Sequence, residues 1–569
     1  MFNKSIVYRD WLLIGVMAIG AACGMIYEYL IAHYAGRILG SVDTAIYSMI
    51  GIMVVSMGIG AFYSRTIKCP YTGFALLEIL IALIGGCSVL FMAALFSMAY
   101  VLPLQLQHSF GIDDSILIQG GAVFIFQQSA QAMPYITGLV LGTLIGMEIP
   151  FIARIREDVY AKKLENNVGT VYGADYIGAG VGAAIWVFIC LQLPIILSAA
   201  YTALLNVILG MIFLAHFRSK IRKVKWLATI NVGVALILIS IAFNGVSWMN
   251  AMSNMLYEDS VVYSNNTPYQ NLVITERIAS NDKPSIINLY INGNLQFSSS
   301  DESLYHGMLV KPTLLASARQ QDILIIGGGD GLAARDAFKL GAEKITLIDL
   351  DPDMIALFQG KSDVSEDWLN QRLLQLNENS LNDARLNIVY GDAFKIVEIF
   401  AAQQRYFDAI IVDLPDPNHP DLNKLYSDYF YAKLGLLLSA DGVINVQSTS
   451  PYHSKKAFIS IGKTMAQAGL TVQQYHTNVP SFGEWGWSIA SKQGLAPLDR
   501  INQLASSIPP SVLEEAQGLS LEQINAAFVF SPLFFQDKGL ININYLGEPV
   551  VYNYHAEGWR IDKGIYYAE

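Results

Sequence analysis

Uncharged apolar stretches of membrane length recur through the first 248 residues and then cease, and no other feature limits so strongly what this chain can fold into. They run over 11–27, 44–64, 79–112, 115–147, 176–217 and 226–257. A helix needs about 20 such residues to cross a bilayer, and 176–217 has room for two with Pro194 near the join, which gives about seven spans. The 53% hydrophobic content over 569 residues is too high for one soluble domain, and the length suffices for two or more. The expectation is a multi-span α-helical membrane domain over 1–248, seated in a lipid bilayer. Further spans follow the first and no small-residue cleavage site stands out, so a cleaved signal peptide is not expected.

Ionisable groups inside such spans are costly and turn toward a partner or a cavity. Glu28, Glu78 and Glu148 lie in them and Asp175 at an edge. Two readings stand side by side: acids bonded to neighbouring helices or near the interface, and a polar pathway through the membrane. Gly138, Gly142 and Gly146 form a face suited to close helix contact. Cys23, Cys69, Cys87 and Cys190 all lie in or beside the apolar windows, which suggests neither a disulfide framework nor a zinc site.

Charge divides at the same boundary. Residues 1–248 carry 14 Lys and Arg against 11 Asp and Glu, and the remainder 22 against 36. An acidic second half argues against nucleic acid as a partner and suits a cationic substrate, although acidity also serves solubility.

Past residue 258 the pattern changes to short strands with turns. Runs at 260–263, 272–275 and 286–291, with Asn292-Gly293-Asn294 as a hairpin signal, indicate a small β-region over 249–312. Strands near 322–326, 344–348, 386–390, 408–412 and 442–447 then alternate with helical stretches. This predicts a Rossmann-like α/β domain over 313–500, a parallel sheet with helices on both faces and the ligand at the C-terminal strand ends. Residues 501–569 form a C-terminal extension with no legible role.

Two motifs occupy those strand ends. Ile325-Ile326-Gly327-Gly328-Gly329-Asp330-Gly331-Leu332 runs a strand into a glycine turn that opens a helix, and Asp349 ends the next strand nineteen residues past Asp330, the spacing of a carboxylate that grips ribose. Gly327 and Gly329 let backbone approach the ligand closely. The fourth strand runs into Asp413-Leu414-Pro415-Asp416-Pro417-Asn418-His419-Pro420, where three prolines stiffen a loop bearing two carboxylates. Asp392 ends another strand, placed to meet an adenine edge.

These residues resemble the polyamine aminopropyltransferases, the spermidine synthase family, in its long membrane-anchored bacterial branch. The matching stretches are Tyr269-Gln270-Asn271, Asn292 to Phe297, Asp301-Glu302, Tyr305-His306, the glycine turn, Asp349-Leu350-Asp351, Gly391-Asp392-Ala393, the loop from Asp413 to Pro420, Leu425-Tyr426, Phe430-Tyr431 and Gln447, within residues 258–495. The resemblance implies an S-adenosylmethionine-methyltransferase-like fold. It also implies decarboxylated S-adenosylmethionine as co-substrate, a polyamine acceptor (putrescine by default), methylthioadenosine as by-product and no metal.

On this resemblance Gln270, Gly327, Gly329, Asp330, Asp349, Asp392 and Ala393 hold the co-substrate. His306, Asp416, Tyr305 and Pro420 belong to the acceptor site, and Asp413 is the catalytic base. Phe482, Trp485 and Trp487 are aromatic wall or ordinary core. The chain departs from the family at Gly307 and Lys311, which places a lysine near the acceptor site and leaves the acceptor's identity open. An S-adenosylmethionine methyltransferase, and a membrane polyamine carrier or sensor with a binding module, stand as alternatives. A homodimer is compatible with the family and the oligomeric state is left open.

Basic clusters at Lys4 and Arg9, Arg65 and Lys68, Arg154 to Lys163, and Arg218 to Lys225 fall on one membrane face, which the positive-inside rule makes cytoplasmic. Seven spans would then export the second half, whereas the implied co-substrate is made in the cytosol. The expectation is a multi-pass inner-membrane protein with a cytosolic catalytic half, against the charge pattern.

Overall fold

Small residues and apolar length account for the first of two compact units, Met1–Glu258 and Asp259–Glu569. The computed structural model describes residues 4–39, 42–110, 121–160, 164–254, 257, 259–280, 282–362, 367–505 and 519–562. Lys162, Lys163 and part of the 115–147 window lie outside them. In the first unit these residues form α1 (Lys4–Leu39), α2 (Val42–Tyr63), α3 (Pro70–Phe110), α4 (Gly121–Ile145), α5 (Glu148–Tyr160), α6 (Asn167–Phe188), α7 (Ile195–His216) and α8 (Val224–Asn254). The 176–217 window divides as expected, with Pro194 immediately before α7, where a missing N–H costs nothing. Among the described residues, seven helical stretches are long and apolar enough to cross a membrane.

Glycines set the closest helix contacts. A Cβ on Gly142 of α4 would lie 2.3 Å from Ser56 Oγ, and one on Gly146, just past its end, 2.0 Å from the Met57 carbonyl oxygen, so the C-terminal end of α4 packs closely on α2. Gly178 and Gly182 of α6 do the same against Ala18 and Ala22 of α1. The acids of the long apolar helices turn inward: Glu78 and Glu148 are buried, and Tyr27 Oη donates to Asn206, whose amide donates to Glu78 at 2.9 Å. The basic clusters converge at one end. Arg154 donates to the Ile67 carbonyl at 3.0 Å, Arg156 pairs with Asp10 at 2.6 Å, and Lys220 pairs with Asp158 at 3.1 Å.

The second unit opens with an antiparallel sheet in the order β1 (Ser260–Asn266), β2 (Asn271–Arg277), β3 (Ile286–Ile291), β4 (Asn294–Ser298). The hairpin β3–β4 turns through Asn292 (φ 50°) and Gly293 (φ 81°), the left-handed geometry that Asn-Gly supplies. Next comes α9 (Glu302–Ala316), which runs unbroken across residues 312 and 313 where the sequence suggested a boundary.

The main sheet is built from β5 (Asp322–Gly327), β6 (Lys344–Asp349), β7 (Leu386–Tyr390), β8 (Phe407–Asp413), β9 (Leu438–Gln447), β10 (Thr471–Val479) and β11 (Gly483–Ser491), in the order β10-β11-β9-β8-β5-β6-β7. Interleaved helices are α10 (Leu332–Lys339), α11 (Pro352–Phe358), α12 (Asp367–Leu376), α13 (Ala393–Ala402), α14 (Asp428–Leu437) and α15 (Lys455–Gln467). The central strands are buried on both faces: Ile323 and Ile325 join one apolar core, Leu324 and Ile326 the other. This is why they read as continuous apolar runs.

The sheet is mixed, not wholly parallel. β10 and β11 pair antiparallel with each other, and β11 pairs antiparallel with β9. Only Pro480-Ser481-Phe482 joins them, far too short for a parallel crossover. The C-terminal residues form α16 (Pro497–Ala505), α17 (Leu521–Ala527) and α18 (Val550–Asp562).

Candidate active site

Strand register brings the two sequence motifs together. In the parallel β5–β8 pair Gly327 stands opposite Asp413, so the glycine turn and the acidic loop leave the sheet side by side. The approach is close: Gly327 has φ 81°, and a Cβ there would lie 2.0 Å from the Asp413 carbonyl oxygen. Only glycine meets both conditions. Gly329 is confined from the other side, since a Cβ would lie 2.6 Å from Asp349 Oδ2. Asp349, at the end of β6, accepts from the Asp351 amide at 2.8 Å. Burial, with Asp351 and Asp330 nearby, pushes its pKa up to about 7. Asp330, one residue before the N-cap of α10, accepts from Leu332 N at 2.9 Å, and burial, opposed by His306, brings its pKa to about 6.

Asp413, its side chain 10% exposed, stands at the centre of a polar cluster led by α9. Tyr305 Oη donates to Asp413 Oδ1 at 2.8 Å, and His306 Nε2 lies 3.8 Å from Oδ2. His306 Nδ1 faces two acceptors on Glu302, the carbonyl oxygen at 3.0 Å and Oε2 at 3.1 Å, so Nδ1 carries a proton. Arg335 clamps Glu302 from α10 in a bidentate pair at 2.9 and 3.0 Å. Burial opposes charge on both partners and is outweighed. Bonds to His306 and Arg335 hold Glu302 at about 2, and Glu302 with Asp330 and Asp413 raises His306 to about 9. Burial raises Asp413 above the usual carboxylate range, against the lowering influence of His306 and Tyr305. A base held in that direction suits proton removal near neutrality.

Asp416 has polar neighbours on three segments. Gln447 Nε2 reaches Oδ1 at 3.3 Å, while Thr449 Oγ1 at 3.3 Å and His555 Nε2 at 3.2 Å reach Oδ2. Gln447 also donates to the Leu414 carbonyl at 2.7 Å, and Tyr426 Oη to the Pro415 carbonyl at 2.8 Å, so the loop is stiffened by bonds as well as by its prolines. Thr449 adopts φ 60°, a conformation that strains a β-branched residue and that persists at sites held from several sides. Pro420 begins a 3-10 turn (Pro420–Tyr426), where its fixed φ is favourable. Phe482, Trp485 and Trp487 gather round Tyr305 with ring centroids 5.7, 6.5 and 5.7 Å away.

Other expected residues have different immediate partners. Gln270 Nε2 donates to Asp351 Oδ2 at 2.9 Å, and Thr267 Oγ1 to the same oxygen at 2.7 Å, so Asp351 ties the β1–β2 turn to the edge of the nucleotide turn. Asp392 caps α13, whose first residue is Ala393, and pairs with Lys424 at 2.7 Å. Lys311 directs its ammonium to the C-terminal segment. It is buried and donates to the Leu519 carbonyl at 2.6 Å, because a position five residues past His306 lies on another face of the helix. Sequence reasoning assigned no role to Arg335, Thr449 or His555. Arg335 lies three residues past the quoted glycine motif and is a cation buried beside Glu302.

The spermine/spermidine synthase domain family matches residues 302–502. A polyamine aminopropyltransferase of Shewanella oneidensis is 48% identical over 98% of this chain and 96% of its own length. Polyamine aminopropyltransferase 1 of Streptomyces coelicolor is 32% identical over 97% and 95%. A solved spermidine synthase in complex with the transition state analogue AdoDATO aligns with 49% of this chain and 88% of its own at 23% identity, TM-score 0.41, a likeness too low to carry any assignment. The near full-length matches, together with a glycine turn set rung to rung against an acidic loop, place this chain in the polyamine aminopropyltransferase family.

Proposed function

We propose that this aminopropyltransferase takes its aminopropyl group from decarboxylated S-adenosylmethionine and passes it to a diamine, putrescine by default, with Asp413 as the base. The observation that carries this is the adjacency of Asp413 to Gly327, which sets its carboxylate beside a nucleotide-type turn. The surroundings fit the co-substrate: Gly327 and Gly329 let the turn pack directly against Asp413 and Asp349, where a Cβ would collide, and Asp349 and Asp330 offer carboxylates to ribose and amine groups. The sulfonium supplies a good leaving group beside the transferred methylene.

A protonated amine has no lone pair, so the acceptor must lose a proton before it attacks. Asp413 Oδ1 is engaged by Tyr305, which leaves Oδ2 to take that proton. The freed nitrogen forms a bond to the methylene, the carbon–sulfur bond breaks with its electron pair going to sulfur, and neutral methylthioadenosine leaves. His306, fixed by Glu302 and Arg335, keeps Asp413 from becoming too basic by placing positive charge beside it. Asp416 anchors the acceptor chain further along the loop. Product analysis after adding decarboxylated co-substrate to a panel of amines tests the reading. Aminopropylated diamine and methylthioadenosine in equal amounts support it, and methyl transfer from S-adenosylmethionine instead would refute it.

The first unit is assigned to the inner membrane as a multi-pass anchor, a reading supported by seven apolar helical stretches and by basic side chains gathered at one end. The catalytic unit is assigned to the cytosol, where its co-substrate is made; the basic face argues the other way under the positive-inside rule.

A further inference from the structure

The C-terminal segment reaches the acceptor site. Asn544 and Asn423 lace it to the 3-10 turn after the acidic loop: Asn544 Nδ2 donates to the Asn423 carbonyl at 3.1 Å, and Asn423 Nδ2 to the Glu548 carbonyl at 3.0 Å. Helix α18 then lies against the 450–454 turn at close range, because a Cβ on Gly558 would sit 2.4 Å from the His453 carbonyl oxygen. This docking sets His555, 5% exposed, with Nε2 3.2 Å from Asp416 Oδ2. Trp559, stacked on His453 with ring centroids 5.6 Å apart, donates its Nε1 hydrogen to the same Nε2 at 2.9 Å.

One ring nitrogen holds either a proton or a lone pair. If Nε2 accepts from Trp559, it faces Asp416 Oδ2 with a lone pair, and two acceptors 3.2 Å apart lack the hydrogen between them. If Nε2 donates to Asp416, the Trp559 hydrogen loses its acceptor. Either assignment leaves one polar contact of the buried His555 ring unmade, which is costly. A primary ammonium supplies what is missing between the two acceptors: it donates one N–H to Asp416 Oδ2 and one to the imidazole lone pair, displacing the hydrogen of the half-buried Trp559, which turns to water.

Resting on the proposed aminopropyl transfer, we infer that His555 is an acceptor-recognition residue: with Asp416 it receives the acceptor's second, unreacting ammonium, so that the C-terminal helix selects diamines over monoamines.

The test compares putrescine with 1-aminobutane, which lacks the second ammonium, in the full-length enzyme held in lipid nanodiscs, with methylthioadenosine affinity as the control for an intact nucleotide site. His555→Ala should raise the diamine KM about tenfold or more, the loss of a bond to a charged group. Its kcat should stay within about threefold, with the monoamine KM unmoved. His555→Lys, which puts a fixed ammonium where the substrate's would lie, should depress diamine kcat/KM further and spare the monoamine. Trp559→Phe keeps the ring on His453 and lets Nε2 turn its hydrogen to Asp416, so it should also raise the diamine KM. An unchanged diamine-to-monoamine ratio of kcat/KM in His555→Ala and Trp559→Phe overturns the inference. If a His555 variant loses methylthioadenosine binding, Trp559→Phe decides by the same ratio. A wild-type enzyme that transfers to both amines equally contradicts the role of His555 alone. One that transfers to neither refutes the underlying reaction and the inference with it.

Discussion

The hydroxyl of Tyr305 donates to Oδ1 of Asp413 at 2.8 Å, and this bond fastens the first turns of α9 to the end of β8. It occupies one carboxylate oxygen and, on the proposed mechanism, leaves the other for the reacting amine. It also draws the Asp413 pKa downward against burial.

Tyr305→Phe therefore has a signed pH consequence. Without the donor Asp413 becomes more basic, so the acid limb of the kcat profile, which requires the deprotonated carboxylate, should move to higher pH. Turnover at neutral pH should fall about tenfold, the scale of one lost hydrogen bond to a charged group. A pH–rate profile superimposable on wild type would show that this bond does not tune the base.

Asp349→Ala should weaken methylthioadenosine and the decarboxylated co-substrate together, by about 1.5–3 kcal/mol for lost charge-assisted bonds, and change acceptor KM little. Calorimetric titration with methylthioadenosine measures it. Equal affinity in wild type and variant would remove Asp349 from the nucleotide site.

Much of this site was legible because strand ends and tight turns are local. The glycine turn, Asp349 and the 413–420 loop each announce themselves within a dozen residues, and the parallel topology that follows from alternating strands and helices brings them to one edge. Contacts between distant segments were not legible. Nothing near Asp416 signals His555, 139 residues later, and nothing near Asp392 signals its pairing with Lys424. Lys311 misled because adjacency in sequence to His306 was read as adjacency in space, whereas helical geometry sends it to Leu519. The antiparallel β10 and β11 were missed because Thr471–Val479 and Gly483–Ser491 are rich in polar and small residues and lack the continuous apolar run that marks the central strands.

Titration of the unliganded enzyme should follow the site's charges. His306 is raised to about 9, so its contribution to stability is complete below its unfolded value near 6.5 and is lost as pH rises through 9. Asp349 and Asp330, raised to about 7 and about 6, bind more protons folded than unfolded, so stability also falls as pH rises from about 4 toward 7. Glu302, held at about 2, contributes stability above about 4.5 that is lost as pH falls through 2. The melting temperature of the catalytic unit, read in the full-length protein, should peak in mildly acidic buffer and decline by several degrees toward pH 9. His306→Gln should flatten the decline above pH 6.5, and an unchanged slope would mean that the Glu302–His306 pair holds no extra proton.

Membrane orientation separates two physical arguments. A cytosolic catalytic unit should be protected when sealed, right-side-out cells are treated with protease, and cleaved after permeabilisation. Release of the segment beyond residue 258 from sealed cells would place the site outside, in accord with the basic face formed around Arg154, Arg156 and Lys220.

The base assignment is the centre of the account, and Asp413→Asn tests it most directly. The amide keeps the shape and the Tyr305 contact but cannot take the ammonium proton. Loss of a general base costs about 10²–10⁴ in rate. Measured with decarboxylated S-adenosylmethionine and putrescine, the variant should lose turnover on that scale while binding methylthioadenosine within a few fold of wild type. Near-normal turnover at neutral pH would contradict the account.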